Sequence, residues 1–227
     1  LTKVNLKGFP SEINKPIELP NIGELLMQPM FLDASIDNAY KYGGDFYRKL
    51  LYLAPLKRDK RHISITSYVQ LLSPGDRSVF NKIGYENEWH VDGEGMPFHQ
   101  QDRMHLLISD CTARTEFSLN SIDVDVDEKI NYTDFNKFLN ENQEKIGLIP
   151  KKIEPNRFIT FDNHPHRATN PQEHEYRFYV RIIESTNNRS KPLEESMKKY
   201  SNVYKDGKSI KNIELKKNGM LININND

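Results

Sequence analysis

One stretch narrows the fold of this chain more than any other: His62-Ile63-Ser64-Ile65-Thr66-Ser67-Tyr68-Val69-Gln70-Leu71. Ile63, Ile65, Val69 and Leu71 occupy odd positions, and the even positions are mostly polar. That period of two belongs to a half-buried strand, because side chains two apart on an extended backbone share a face. Ser73-Pro74-Gly75-Asp76 follows as a turn. The same alternation returns in Tyr176–Ile183, and further strands are expected at Arg157–Phe161, at Met104–Ser109 and near Thr112–Leu119. Many strands, few helices and Gly/Pro turns favour a β-sandwich or barrel over an alternating α/β fold.

The remaining segments fit around such a core. Pro10, Pro16, Pro20 and Pro29 punctuate residues 1–35, which predicts an extended arm with one short strand and no long helix. Ser35 or Asp37 can cap a helix whose Ala39, Tyr40, Phe46, Tyr47, Leu50, Leu51 and Leu53 share a face. Gly43-Gly44 weakens its first turns and Pro55 ends it. Gly93, Gly95 and Pro97 signal a loop. The acidic run Asp123 to Glu128 is expected to be a solvated loop, and residues 132–145 an amphipathic helix carrying Phe135, Phe138 and Leu139. Beyond Ser185 a short helix at 191–200 and a hairpin at Asn218-Gly219 are expected. The organisation predicted is one domain over 1–227: an amino-terminal arm and helix (1–61), a β-rich core (62–183) and a polar carboxyl-terminal extension (184–227) that could serve as a lid or dimer arm.

Composition sets the class of partner. Lys+Arg and Asp+Glu are equal at 32 each, whereas a protein that grips a nucleic-acid backbone usually carries a basic excess. Apolar runs such as Leu50-Leu51-Tyr52-Leu53-Ala54 fall far short of the ~20 residues that span a bilayer. Cys111 is the single cysteine, so no internal disulfide can form, which fits a reducing compartment. The expectation is a soluble, cytoplasmic protein with a small-molecule substrate and neither a membrane nor a nucleic-acid partner. Oligomeric state is not legible.

The chemistry concentrates in Glu88-Trp89-His90-Val91-Asp92-Gly93 and, 76 positions after His90, in His166. His90 and Asp92, two apart on extended backbone, point to one face and can share a cation. Two imidazoles and one carboxylate in the order His-x-Asp…His form the ligand set of a 2-His-1-carboxylate facial triad, which holds Fe(II) and leaves coordination positions open. Eleven residues after His166, Arg177 lies between Tyr176 and Phe178 on an otherwise apolar strand. A buried guanidinium there calls for a carboxylate, which it meets with two parallel hydrogen bonds. His164 competes with His166 as the distal ligand. His105 reads as a core histidine, His62, His99 and His174 as surface or loop residues, and Trp89 as core. Tyr68 and Gln70 share a face and are candidate substrate contacts.

His90-x-Asp92, His166, Arg177 and Arg181, with the lead-in Tyr68-Val69-Gln70-Leu71-Leu72-Ser73-Pro74-Gly75, resemble the Fe(II)/2-oxoglutarate-dependent dioxygenase superfamily over roughly residues 62–183. The segment Phe161-Asp162-Asn163…His166-x10-Arg177-x3-Arg181 is most similar to its taurine-dioxygenase-like and phytanoyl-CoA-hydroxylase-like branches. The resemblance implies a mainly β fold with a double-stranded β-helix (jelly-roll, cupin-like) core and flanking helices. It implies an oxidoreductase, a hydroxylase that uses Fe(II), O2 and 2-oxoglutarate and releases succinate and CO2. His90, Asp92 and His166 become the metal ligands and Arg177 the clamp on the distal carboxylate. Thr115 matches a second 2-oxoglutarate contact, although the glycines that usually surround it are missing. Arg181, four residues past Arg177 on the same side of the strand, either touches co-substrate or an anionic substrate or forms a structural ion pair. The carboxylate at Asp92 favours hydroxylation over halogenation. Two other readings use the same residues: a jelly-roll binding protein without turnover, and a cupin-like metalloenzyme that does not use 2-oxoglutarate.

Overall fold

A computed structural model of the chain describes residues 1–13, 15–76, 78, 88–92 and 102–198, together with the backbone of four later strands. Its elements are β1 (Thr2–Leu6), β2 (Ser11–Glu12), α1 (Ile22–Leu26), β3 (Met30–Ser35), α2 (Ile36–Tyr42), α3 (Gly44–Leu53), β4 (His62–Leu72) and β5 (Arg103–Ile108). They continue with β6 (Glu116–Ser118), β7 (Ile122–Val126), α4 (Tyr132–Glu141), β8 (Pro150–Lys152), β9 (Ile159–Phe161), β10 (His166–Arg167) and β11 (Glu175–Ser185). The last are α5 (Leu193–Ser196), β12 (Met197–Lys198), β13 (Val203–Lys205), β14 (Lys208–Ile210), β15 (Ile213–Leu215) and β16 (Leu221–Asn223). The protein is mainly β, with few helices and several antiparallel sheets. Among the described residues no helix is long and apolar enough to cross a membrane.

The two alternating stretches lie side by side. β4 pairs antiparallel with β11 from His62↔Ser185 to Leu72↔Glu175. β3 and β12 continue the sheet on one flank, and β5, β9 and β2 on the other. One face carries Ile65, Val69, Phe178, Val180 and Ile182, packed with Phe31, Leu107 and the helical residues Ala39, Tyr47, Leu50 and Leu51. Each such large apolar side chain contributes about 1.5–3 kcal/mol when fully buried. Ser67 is the polar exception on this face. The Tyr47 hydroxyl answers it at 2.6 Å and also reaches the Pro29 carbonyl at 2.8 Å. The opposite face presents three cross-strand pairs, Thr66↔Arg181, Tyr68↔Tyr179 and Gln70↔Arg177.

A smaller sheet, in the order β10-β6-β8, is extended by a single bridge between His90 and His166. A third unit is the β1–β7 ribbon, whose Val4, Leu6, Val124 and Val126 enclose a second core with Phe135 and Leu139 of α4.

Several expectations change. The Asp123–Glu128 run is largely strand β7, not a loop: Val124 and Val126 point inward while Asp123 and Asp125 point out. Alternating carboxylates masked the period. The single helix after Ser35 is two, because Gly44 takes φ +73° and turns the chain between α2 and α3. A Cβ on Gly43 would lie 2.6 Å from the Tyr47 Cβ, so the junction is also tight. The Ser35 hydroxyl caps α2 by accepting from the Asn38 N–H at 3.2 Å. The amino-terminal arm holds three strands and a short helix rather than one strand. The helix at 132–145 ends at Glu141 and that at 191–200 spans only Leu193–Ser196. β15 and β16 pair antiparallel on either side of Asn218-Gly219. That dipeptide, His99 and the loop at Gly93, Gly95 and Pro97 lie outside the described residues.

The helix-covered face of the large sheet also holds a charged cluster. Glu184 is wholly buried and accepts hydrogen bonds from the backbone N–H groups of Lys57 (3.2 Å) and Arg58 (2.6 Å). The His105 Nε2 lies 2.8 Å from the same carboxylate and its Nδ1 lies 2.9 Å from the Thr160 hydroxyl. Arg103 bridges Glu184 to Asp59. His105 is thus a satisfied core histidine, as the sequence suggests. Burial works to raise the Glu184 carboxyl, but bonds from His105, Lys57 and Arg58 outweigh it and hold the group below its ordinary 4.5. A depressed carboxyl stabilises the fold fully above its ordinary range and loses that contribution as pH falls through its folded value. Glu184→Ala should therefore lower stability in urea by about 3–5 kcal/mol at pH 7, with the gap from wild type narrowing in acid. Equal midpoints at pH 7 would contradict this.

Candidate metal centre

The segment 88–92 is held on both edges. On one, the His90 N–H donates to the His166 carbonyl and the His166 N–H to the His90 carbonyl, each at 2.9 Å. On the other, side chains of α4 stand in for a neighbouring strand. The Asn140 amide accepts from the Trp89 N–H (2.7 Å) and donates to the Trp89 carbonyl (2.8 Å), and Asn136 Oδ1 accepts from the Val91 N–H (3.2 Å). Every buried backbone group must find a partner, and an asparagine side chain offers both a donor and an acceptor. Trp89 and Val91 sink into the second core. The two-residue period then turns His90 and Asp92 outward to the same side.

Across the bridge, β10 presents His166. His90 Nε2 lies 3.9 Å from Asp92 Oδ1, and His166 Nε2 lies 3.5 Å from Asp92 Oδ2. One donor atom from each of the three residues lies within 4.8 Å of the others. The rings are oriented from behind: His90 Nδ1 is 3.2 Å from the Glu88 carbonyl and His166 Nδ1 is 2.9 Å from the His164 carbonyl. A carbonyl only accepts, so each Nδ1 carries a proton. In a neutral ring Nε2 then offers a lone pair toward Asp92, the usual outer-shell arrangement of a metal-bound histidine. Phe117 stacks on the His166 ring at 5.1 Å and Phe161 meets it edge-on at 5.2 Å. Burial, reinforced by the neighbouring His166, lowers His90 to about 4 against the pull of Asp92, so its ring is neutral at physiological pH. Burial works to raise Asp92, but His166, His90 and Arg181 outweigh it and hold the carboxyl well below its ordinary range. Three atoms able to donate electron pairs thus converge on one point, where a cation could be shared among them. The donor set fits a first-row divalent ion.

The triad opens on a cavity of about 370 Å³, near the lower end of the small-molecule range. It lies between the two sheets: its lining includes His90, Asp92, Thr115, His166 and Ala168 from one side and Thr66, Tyr68, Arg177, Tyr179 and Arg181 from the other. Arg177 is only 2% exposed. Its guanidinium donates to Gln70 Oε1 at 3.1 Å and to the Ser78 carbonyl at 2.6 Å, both neutral acceptors, and among the described residues its Nε has no partner. Among the described residues it has no carboxylate partner. Arg181 also keeps an unpartnered buried Nε, and its proton is held more firmly than usual, chiefly by Tyr179 and then Asp92 against the cost of burial.

The sequence-derived candidates His90, Asp92, His166, Thr115, Arg177 and Arg181 thus converge on one cavity, joined by Tyr68 from the lead-in strand and by Gln70 through Arg177. His164 does not join the triad. It faces Asp162 at 3.2 Å beside a more open hollow of about 530 Å³ and contributes its carbonyl to His166. Trp89 is core, and Arg167 lies over its ring at 4.8 Å. Tyr179 was overlooked although its place between Arg177 and Arg181 puts it on their face. Asn136, Asn140, Asp33 and Lys191 carry no sequence signal, because they reach the site only through tertiary packing. Comparisons of the chain with protein-family models, curated proteins and solved structures found no match.

Anaerobic equilibrium dialysis with Fe(II) should show one bound ion, and Asp92→Ala should weaken it by about 100-fold or more. Asn140→Ala, which touches no donor atom, should cost roughly tenfold by loosening the His90–Asp92 segment. Stoichiometric iron in Asp92→Ala would refute the ligand assignment.

Proposed function

We propose that the protein is a non-haem Fe(II)- and 2-oxoglutarate-dependent oxygenase that hydroxylates a small molecule, built on a double-stranded β-helix core. The observation that carries the proposal is Arg177. Among the described residues this sealed guanidinium meets only neutral acceptors, and a buried charge so left is costly unless a ligand brings a carboxylate. That carboxylate would arrive in the cavity that also holds the triad. A dicarboxylate with a metal-chelating 2-oxo acid at one end satisfies both features at once. The facing sheets, with strands from each contributing to the cavity, support the jelly-roll arrangement.

His90, Asp92 and His166 would hold the iron, which when bound supplies oxygen activation coupled to decarboxylation of the oxo acid, giving succinate and CO2. The chain's own groups do the positioning. Arg177 receives the distal carboxylate, with Gln70 and the Ser78 carbonyl fixing the plane of its fork. Arg181 places a second positive charge in the same cavity, within electrostatic reach of Asp92 and open to a carboxylate of the bound organic ligands. Thr115, 5% exposed, offers a hydroxyl in the same cavity. Phe117 and Phe161 enclose the His166 ring and keep water from its flank.

Calorimetry with Mn(II)-loaded protein should detect 2-oxoglutarate binding. Arg177→Ala should lower that affinity by about 100-fold, near 2.7 kcal/mol, without changing the affinity for Mn(II). Arg177→Lys should recover only part of it, because an ammonium cannot make the paired bonds. With Fe(II) and O2, wild type should release succinate. Unchanged 2-oxoglutarate affinity in Arg177→Ala would overturn the proposal in favour of a metalloenzyme that does not use this co-substrate. Failure of the wild type to bind 2-oxoglutarate at all would overturn it as well.

A further inference from the structure

The far wall of the cavity holds a carboxylate that neither the triad nor the oxo-acid clamp uses. β3 slips out of register with β4 between Phe31 and Ala34. On a regular strand Phe31 and Ala34, three apart, would face opposite ways, yet both lie in the helix-covered core. The extra residue of the bulge makes this possible and turns both Leu32 and Asp33 toward the cavity. Asp33 adopts φ +53° to do so. That is a left-handed conformation which costs energy in most L-residues and which recurs at functional sites.

The Asp33 carboxylate is fixed in place. The Thr66 hydroxyl donates to its Oδ1 at 2.9 Å and accepts the Asp33 N–H at 3.1 Å. Thr66 is in turn the cross-strand partner of Arg181. Acid, hydroxyl and guanidinium therefore form a row across three adjacent strands on the cavity wall. The flanking strands of that row are two spacings apart, about 10 Å between backbones, and the side chains converge within that span. The remaining oxygen, Oδ2, is met by the Lys191 ammonium at 2.8 Å. The Lys191 side chain is 49% exposed, and ion pairs so open to water are worth about 0–1 kcal/mol. The Lys191 backbone N–H separately donates to the Asp33 carbonyl at 2.8 Å, so the segment stays attached when the ammonium leaves.

We propose that the cavity selects a small zwitterion of the amino-acid type, whose ammonium docks on Asp33 in place of the Lys191 ammonium while its carboxylate lies toward Arg181. A simple cation would meet the Arg181 and Lys191 charges as well as Asp33, and a simple anion would leave Asp33 unused. A zwitterion complements both ends of the row. The inference rests on the oxygenase reading for its chemistry, but the binding geometry uses none of the metal ligands.

The protein loaded with Mn(II) and 2-oxoglutarate is titrated calorimetrically with the twenty L-α-amino acids, β-alanine and γ-aminobutyrate. Each binder is then compared with its N-acetyl derivative and with the carboxylic acid lacking the amine. At least one zwitterion should bind, and removing or acetylating the amine should weaken it by about tenfold or more. In Asp33→Asn that discrimination should collapse, with the fold retained because asparagine tolerates the left-handed backbone. Lys191→Ala should leave zwitterion affinity unchanged or tighter, since the competing ammonium is gone. The proposal is overturned if no zwitterion binds, if acids without an amine bind equally well, or if Asp33→Asn keeps the discrimination. A loss of affinity in Lys191→Ala would also overturn the exchange. Should 2-oxoglutarate itself fail to bind, the oxygenase reading falls, and the same panel on the Mn(II)-loaded protein still decides whether Asp33 receives an ammonium.

Discussion

Two backbone hydrogen bonds between His90 and His166 hold the site together. They join segments 76 residues apart in sequence and fix the imidazoles with ring centroids 4.2 Å apart. Closing so long a loop costs conformational entropy, and two hydrogen bonds alone, each worth about 0.5–1.5 kcal/mol net, would not offset it. Apolar packing behind the bridge does. Trp89 and Val91 are each 1% exposed within a core supplied by β1, β7 and α4, while Phe117 and Phe161 close around His166. The placing of His90 and Asp92 is thus a by-product of burying one face of a short strand: once odd residues are core, the even ones must face the cavity.

The large sheet supplies the opposite wall by the same rule. Thr66, Tyr68 and Gln70 share a face, as do Arg177, Tyr179 and Arg181, and the β4–β11 register sets them side by side. Two guanidiniums are separated along β11 by a tyrosine stacked on its cross-strand partner, centroids 4.9 Å apart. The cavity therefore has positive ends on one wall and a carboxylate-centred donor set on the other. Such a distribution suits a metal together with small carboxylate ligands and disfavours a purely apolar guest. The bulge at Asp33 adds an acidic group to the arginine-bearing wall.

How much of this could be read in the sequence follows from the range of the forces involved. β4 and β11 were legible because local alternation is dictated by one dry face, and the shared face of His90 and Asp92 because His-x-Asp on extended backbone points one way. Choosing His166 over His164 drew on spacing to Arg177; in the structure the bridge to His90 sets His166 beside Asp92, while His164 faces Asp162. β7 was not legible, since Asp123 and Asp125 look like solvent-exposed loop residues until β1 is seen opposite them. The turn at Gly44 was visible as a weakness in a helix but not as its end. Asn136, Asn140 and Asp33 were beyond reach: two act from a helix across a core, and the third depends on a register slip that no local pattern records.

Visible absorption of anaerobic protein titrated first with Fe(II) and then with 2-oxoglutarate tests the central claim most directly. A weak metal-to-ligand charge-transfer band that appears only when both are present is the predicted result, because it requires a 2-oxo acid chelated to iron held by three protein ligands. Iron that binds with no spectral response to 2-oxoglutarate, or no iron binding at all, would contradict the account.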